Sequence, residues 1–181
     1  MNVTHPTTDP YYYFQSSTES SKKCCIIRLK SFLEQFSILY DSQYGSREKR
    51  SIEHAILEIT IQIQTNMDRK LYTCGIFIDW QKAFDTVDHS ILLKKLDHYG
   101  IRGIVNDWFT TYLTSRKQIS EIGPLNISKK ATVLSGAPQG SVLGLLLFLI
   151  YINDICNSCN RMKFYLFADD TNLLYADKNL K

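Results

Sequence analysis

Apolar and polar positions follow two periods along this chain, and the switches between them divide it into elements. Residues 1–23 show neither period: Thr, Ser, Tyr and Pro follow one another without repeat, and the segment reads as a disordered tail. From Ile26 to Tyr40 the residues Ile26, Leu29, Phe32, Leu33 and Phe36 recur at helical spacing. After Ser51, a plausible N-cap, Ile52, Ala55, Ile56, Ile59, Ile63 and Met67 form one stripe of an amphipathic helix. Leu71–Ile78 is a short apolar run ending in Asp79, which predicts a strand. Asp88 is placed to cap a helix through Tyr99, stopped by Gly100, and a further helix is predicted over Ile104–Leu113.

The second half adds two predicted hairpins and a buried helix. Arg116–Ile122 and Ile127–Leu134 flank Gly123-Pro124-Leu125-Asn126 and read as a hairpin. Ser135–Gly140 is a Gly/Pro loop, and Ser141 is placed to cap the apolar run Val142–Ile152. A bilayer span needs about 20 apolar residues, so this shorter run predicts a buried core helix. Met162–Ala168 and Asn172–Ala176 read as strands joined at Asp169-Asp170-Thr171. Strands and helices that mix without strict alternation predict an α+β fold.

Composition narrows the classes only slightly. A chain of 181 residues with 44% hydrophobic content has room for one ordinary domain and its core. A formal charge of +3 permits a nucleic-acid partner without demanding one. Five cysteines, an odd number, and the lack of a charged start followed by an apolar run predict reduced thiols and an intracellular protein without signal peptide or membrane segment. Cys156-Asn157-Ser158-Cys159 has metal-ligand spacing, but no second Cys or His pair follows to complete a site. His54, His89 and His98 have no evident partners and read as surface or capping residues.

The candidate chemistry lies in carboxylates. Asp79, Asp169 and Asp170 each follow an apolar stretch with strand character, so a fold can bring them together. Grouped carboxylates repel one another unless a hard cation such as Mg²⁺ neutralises them, and such a cluster is what two-metal nucleotidyl transfer requires. The simpler alternative for Asp169-Asp170 is an ordinary hairpin turn. Phe84, five residues past Asp79, reads either as a core aromatic or as a ring packed under a nucleotide sugar. Gln139 and Gly140 form either a plain polar loop or a loop close to a nucleotide. Arg47, with Lys49 and Arg50, is either a solvated helix entry or a phosphate-binding cluster.

At these residues the chain resembles the reverse transcriptases of non-LTR (LINE-type) retrotransposons. Gly75–His89, containing Phe77-Ile78-Asp79 and Ala83-Phe84-Asp85, resembles the family's motif A. Gly136-Ala137-Pro138-Gln139-Gly140-Ser141 through Gly144 resembles motif B, and Phe167-Ala168-Asp169-Asp170-Thr171 resembles motif C. Gln43-Tyr44-Gly45-Ser46-Arg47 resembles a fingers motif, although the family usually has Phe where Ser46 stands and Pro where Leu145 stands.

The resemblance implies a right-hand polymerase palm over residues 71–181, an antiparallel sheet packed on helices, with part of the fingers over 24–70 and no thumb. It assigns the metal ligands to Asp79, Asp169 and Asp170, and makes Phe84 a steric gate against the ribose 2′ hydroxyl. It sets Gln139 and Gly140 beside the incoming nucleotide and Arg47 near its phosphates. The activity it implies is RNA-directed DNA polymerisation from dNTPs on an RNA template and DNA primer, with two Mg²⁺ ions or Mn²⁺ as substitute. The alternative is a catalytically dead nucleic-acid-binding or vestigial module that keeps the palm as a scaffold.

Overall fold

The computed structural model describes residues 10–118, 131–138 and 140–179, with side chains from residue 22 onward. Residues 1–37 form one compact unit and residues 38–181 a second. The first consists of helix α1, Pro10–Gln35. This helix begins at Pro10, well before the Ile26 start that the apolar spacing predicts. The stretch from Tyr11 to Gln35 contains no Gly or Pro to interrupt a helix, and a proline is tolerated in the first turn, where its missing N–H has no partner to lose. The helix also stops before Tyr40, because Ser37 takes a left-handed φ of 48°.

The second unit is built on a three-stranded antiparallel sheet in the order β1-β5-β4. Its strands are β1 (Tyr72–Ile78), β4 (Lys163–Phe167) and β5 (Asp170–Asp177). One face carries Tyr165 and Leu174, which cluster with Tyr44 and with Ala55 of α2, Ile52–Asp68. The other carries Phe164, Leu166 and Leu173, which cluster with Cys156 in a 3₁₀ segment, Asn153–Ser158. This alternation along β4 and β5 is what a sheet covered on both faces requires.

Ser51 caps α2 as its sequence predicts, accepting from the His54 amide. The buried face of α2 is rotated from the predicted stripe. Ala55 and Asn66 are buried, with Ile59 and Ile63 packed on the sheet cluster, while Ile52, Ile56 and Met67 are exposed. The polar contacts explain the rotation. Asn66 donates to Thr73 Oγ1 on β1 and accepts from Gln62, which turns a polar residue inward.

A helical layer completes the unit. It comprises α3 (His89–His98), α4 (Ile104–Thr114) and α5 (Val142–Ile152). Asp88 caps α3 through the amides of Ser90 and Ile91, and Ser141 caps α5 through Gly144. Leu92, Leu96, Phe109, Leu113, Leu147 and Ile150 are almost wholly buried, so α3, α4 and α5 share a core. From Leu143 to Ile150 only Leu145 escapes full burial, which is the environment of an all-apolar helix. No described helix is long and apolar enough to cross a membrane.

The end of α5 is fastened by Asn153. Its side chain donates to the Ile38 carbonyl and the Tyr99 hydroxyl and accepts from the Tyr40 amide. Lys95 of α3 adds an ion pair to Asp154 and a bond to the Tyr151 carbonyl. The predicted hairpin after Arg116 is present as β2 (Lys117–Gln118) paired with β3 (Ala131–Thr132). Its Gly123–Asn126 turn lies outside the described residues. The observed architecture is thus a mixed α/β fold with a small antiparallel sheet packed against helices, consistent with a palm.

Candidate active site

The strands set the position of two of the three aspartates. Strands β1 and β5 pair antiparallel with Ile78 opposite Thr171. Asp79 follows Ile78 and Asp170 precedes Thr171, so the register carries these two carboxylates to the same level on adjacent strands. Both are exposed. Trp80 Nε1 donates to Thr171 Oγ1 at 3.0 Å and ties the exit of β1 to the start of β5.

Asp169 lies in the turn itself. The hairpin between β4 and β5 closes on the pair Phe167–Asp170, leaving Ala168-Asp169 as its two-residue loop. The predicted turn, Asp169-Asp170-Thr171, is therefore displaced toward the N-terminus. Thr171 is fully buried in the central strand between Ile78 and Leu166, where its β-branched side chain fits a pleated sheet. Ala168 takes a φ of 54° while Asp169 does not have a positive φ, so the first loop position holds a conformation that favours glycine.

Motif A and motif B meet through backbone contacts. The Ala137 amide donates to Phe84 O and the Gly136 amide to Val87 O, both at 2.8 Å. Ser135 Oγ donates to Asp85 O at 3.1 Å. Gly136 has a φ of 95°, which favours glycine, and an added Cβ would also be crowded, 3.1 Å from Asp85 Cα. Two side chains converge on the Gly136 carbonyl: His89 Nε2 at 2.9 Å and Arg116 Nη1 at 3.1 Å. His89 is buried, contrary to the surface or capping role expected of it. The available sequence signal was its spacing to Leu92 and Leu96, which sets it on the buried face of α3.

The other predicted residues are distributed around this frame. Phe84 is half-buried and its ring stacks on Phe148 of α5, centroids 4.4 Å apart. Gly140 is exposed with a φ of 82°, and Gln139 lies outside the described residues. Arg47 donates from Nη1 to the Tyr40 carbonyl at 2.9 Å. Gln43 and Gly45, which no local pattern in the sequence marks for a structural role, both touch the Ala168 turn: Gln43 Oε1 accepts from the Ala168 amide at 3.2 Å.

A divalent metal can be tested against these groups. Among the described residues, no three His, Cys, Asp or Glu side chains are close enough to hold an ion. The expected triad is therefore not assembled as a closed cage. The donor chemistry does fit Mg²⁺, which takes oxygen ligands, needs only one or two carboxylates and leaves its other positions to water and phosphates. Among the described residues no ion pair joins a cation to Asp79, Asp169 or Asp170.

The sheet with its aspartate turn, and the Gly136–Ala137 backbone laid against Phe84 and Val87, are consistent with a polymerase palm. The chain belongs to the reverse transcriptase family: residues 20–180 match the model of the Reverse transcriptase (RNA-dependent DNA polymerase) family. It is 31% identical over 162 residues to the Drosophila melanogaster probable RNA-directed DNA polymerase from transposon BS, covering 82% of this chain and 17% of that protein. The probable RNA-directed DNA polymerase from transposon X-element, also of Drosophila melanogaster, is 28% identical, covering 84% of this chain and 17% of its own length. The Pol polyprotein from the type-1 retrotransposable element R2 of Popillia japonica is 27% identical over 68% of this chain and 17% of its own length. The homology to reverse transcriptases of non-LTR retrotransposons is distant but consistent, and the chain spans 17% of the length of these relatives.

Proposed function

We propose that this chain carries the catalytic core of an RNA-directed DNA polymerase, with residues 71–181 as palm and 24–70 as part of the fingers. The substrates are then an RNA template, a DNA primer and dNTPs. The observation that most supports this reading is the β1–β5 register, which brings Asp79 level with Asp170 while Asp169 occupies the adjoining turn.

In this reading Asp79, Asp169 and Asp170 are the metal ligands. Bound Mg²⁺, or Mn²⁺ in its place, supplies acidification of the primer 3′ hydroxyl and neutralisation of the pyrophosphate leaving group. The chain's own task is positioning, since phosphoryl chemistry asks little covalent work of the protein. The backbone of Gly136 and Ala137, held against Val87 and Phe84, forms the wall of the nucleotide site, and Gln139 and Gly140 are assigned to the incoming nucleotide. Phe84 lies under the sugar, and Arg47 reaches the phosphates.

Primer extension on an RNA template, comparing the unaltered chain with Asp169→Asn and Asp79→Asn, tests the proposal. Extension that falls by roughly 100-fold or more in both variants is expected, since the transition-state charge loses its stabilisation. Extension at an unaltered rate in Asp169→Asn would overturn it.

A second reading is a nucleic-acid-binding or vestigial module that retains the fold without catalysis. It is favoured by the lack, among the described residues, of three ligands gathered closely enough for an ion. Absence of extension by the unaltered chain, together with RNA binding unchanged by either substitution, would select it.

A further inference from the structure

The start of the fingers-like motif runs alongside the aspartate hairpin through an isolated bridge at Gln43. The Tyr44 amide donates to Leu166 O and the Leu166 amide to Ser42 O, both at 2.8 Å, forming a parallel bridge between Gln43 and Leu166. Ser42 to Gly45 thereby lines the free edge of β4, next to the turn that contains Asp169.

Gln43 is only 2% exposed, and its Oε1 accepts two amides: Gly45 at 2.9 Å and Ala168 at 3.2 Å. The second is the significant one. In a two-residue hairpin the first loop amide has no place in the strand ladder and must find a partner elsewhere. Here the residue that owns it also takes a left-handed φ of 54°, which an alanine resists. Gly45 permits the approach: a Cβ there would lie 2.2 Å from the Ala168 nitrogen and 2.9 Å from the Phe167 carbonyl carbon.

We propose that Gln43 is a positioning residue for the Asp169–Asp170 turn, holding Ala168 in its left-handed conformation through Oε1 and so fixing the direction in which the carboxylates face. That the turn is used to bind metal rests on the polymerase reading; that Gln43 sets its conformation does not. A residue 125 positions away in sequence thus completes a turn that its own sequence does not favour. The arrangement also explains how an alanine is held at a positive φ that ordinarily favours glycine.

Mn²⁺ binding to the full chain, followed by electron paramagnetic resonance, and hydrogen exchange at the Ala168 amide, followed by NMR, test the two parts separately. The variants are Gln43→Met, which keeps the bulk and removes the acceptor, the same change combined with Ala168→Gly, and Asp169→Asn. Gln43→Met is expected to weaken Mn²⁺ binding by roughly 10-fold, as loss of a group that orients metal ligands does, and to speed exchange at Ala168. Ala168→Gly should recover most of the lost affinity, because glycine adopts the left-handed turn without support. A purely structural role for Gln43 predicts no such recovery.

The proposal is overturned if Gln43→Met leaves exchange at Ala168 unchanged, or if the loss of Mn²⁺ affinity persists in the double variant. Mn²⁺ binding that is indifferent to Asp169→Asn counts instead against the polymerase reading, and the amide exchange still decides the role of Gln43. Should Gln43→Met fail to melt cooperatively, Gly45→Ala replaces it, since its Cβ must displace Ala168. Fast exchange at Ala168 in that variant supports the proposal, and unchanged exchange overturns it.

Discussion

Phe84 and Phe148 stack with their ring centroids 4.4 Å apart and their planes inclined by 27°. The first follows Asp79 in motif A and the second lies in the buried helix α5. The stack therefore joins the segment beside the candidate metal site to the interior. Phe148 is 2% exposed, so Phe148→Ala is expected to cost about 3–5 kcal/mol in denaturant unfolding. Phe84→Ala should cost less, about 2 kcal/mol, because the ring is half-buried. A double-mutant cycle should give a coupling of about 0.5–1.5 kcal/mol for the stack.

The same ring bears on substrate choice in the proposed polymerase. If Phe84 lies under the sugar, Phe84→Val removes bulk where a 2′ hydroxyl would otherwise clash. The ratio of ribonucleotide to deoxynucleotide incorporation should then rise by about 10-fold or more, the scale on which pocket volume discriminates. Single-nucleotide extension with matched rNTP and dNTP measures it; an unchanged ratio removes Phe84 from that role.

His89 and Gly136 define a second dependence. The imidazole is buried and its Nε2 lies 2.9 Å from the Gly136 carbonyl, which Arg116 also reaches. His89→Ala removes one of two partners, so the carbonyl is not orphaned. The expected loss is about 1 kcal/mol. With Arg116→Ala added, the carbonyl loses both, and the combined loss should exceed the sum of the two single losses. Thermal unfolding of the three variants measures this non-additivity.

Local signals in the sequence reached further into the fold than into the site. Asp88, Ser51 and Ser141 were readable as caps because a side-chain oxygen three residues before an amide is a short-range relation. The boundaries of β1, α3 and α5 followed from apolar runs and their stops. The rotated face of α2 was not readable, because Asn66 is turned inward by Thr73 on another element. Nor was the exact turn at Ala168, where a left-handed φ is held by Gln43 from a distant segment. The burial of His89 was legible in its spacing to Leu92 and Leu96, but its partner, the Gly136 carbonyl, lies in a loop 47 positions later. The aspartates were identifiable by motif, whereas their mutual placement depends on the β1–β5 register, which no local pattern specifies.

Gly144 carries a steric prediction with competing signs. Glycine inside a helix is ordinarily worth replacing, since alanine gains up to about 1 kcal/mol in propensity. Here an added Cβ would lie 2.1 Å from the Pro138 carbonyl oxygen and 2.9 Å from Ser141 Oγ, which caps the same helix. Backbone at that distance cannot rotate aside, so overpacking wins and Gly144→Ala should destabilise by about 1–3 kcal/mol. An increase in melting temperature would contradict this.

Alkaline pH should weaken the fold through groups held neutral by burial. Desolvation pushes the Cys156 thiol up to about 12 from an ordinary value of 9.0, with Asp154 nearby adding to the rise. Desolvation likewise moves the Tyr44 and Tyr165 hydroxyls from 10.0 to about 12, with Glu58 contributing to both. In each case the folded state keeps a proton that the unfolded chain releases, so stability is complete below the unfolded values and declines as pH rises from about 9 toward 12. Replacing Cys156 by Ala removes the earliest part of that decline, between about pH 9 and 10, at the cost of a smaller side chain in the core. The same burial makes Cys156 resistant to alkylation at neutral pH while Cys24 and Cys74, both exposed, react. Unfolding measured at pH 8, 9, 10 and 11, with thiol labelling in parallel, checks both: a flat stability profile, or labelling of Cys156 as fast as Cys74, would contradict the burial of this thiol.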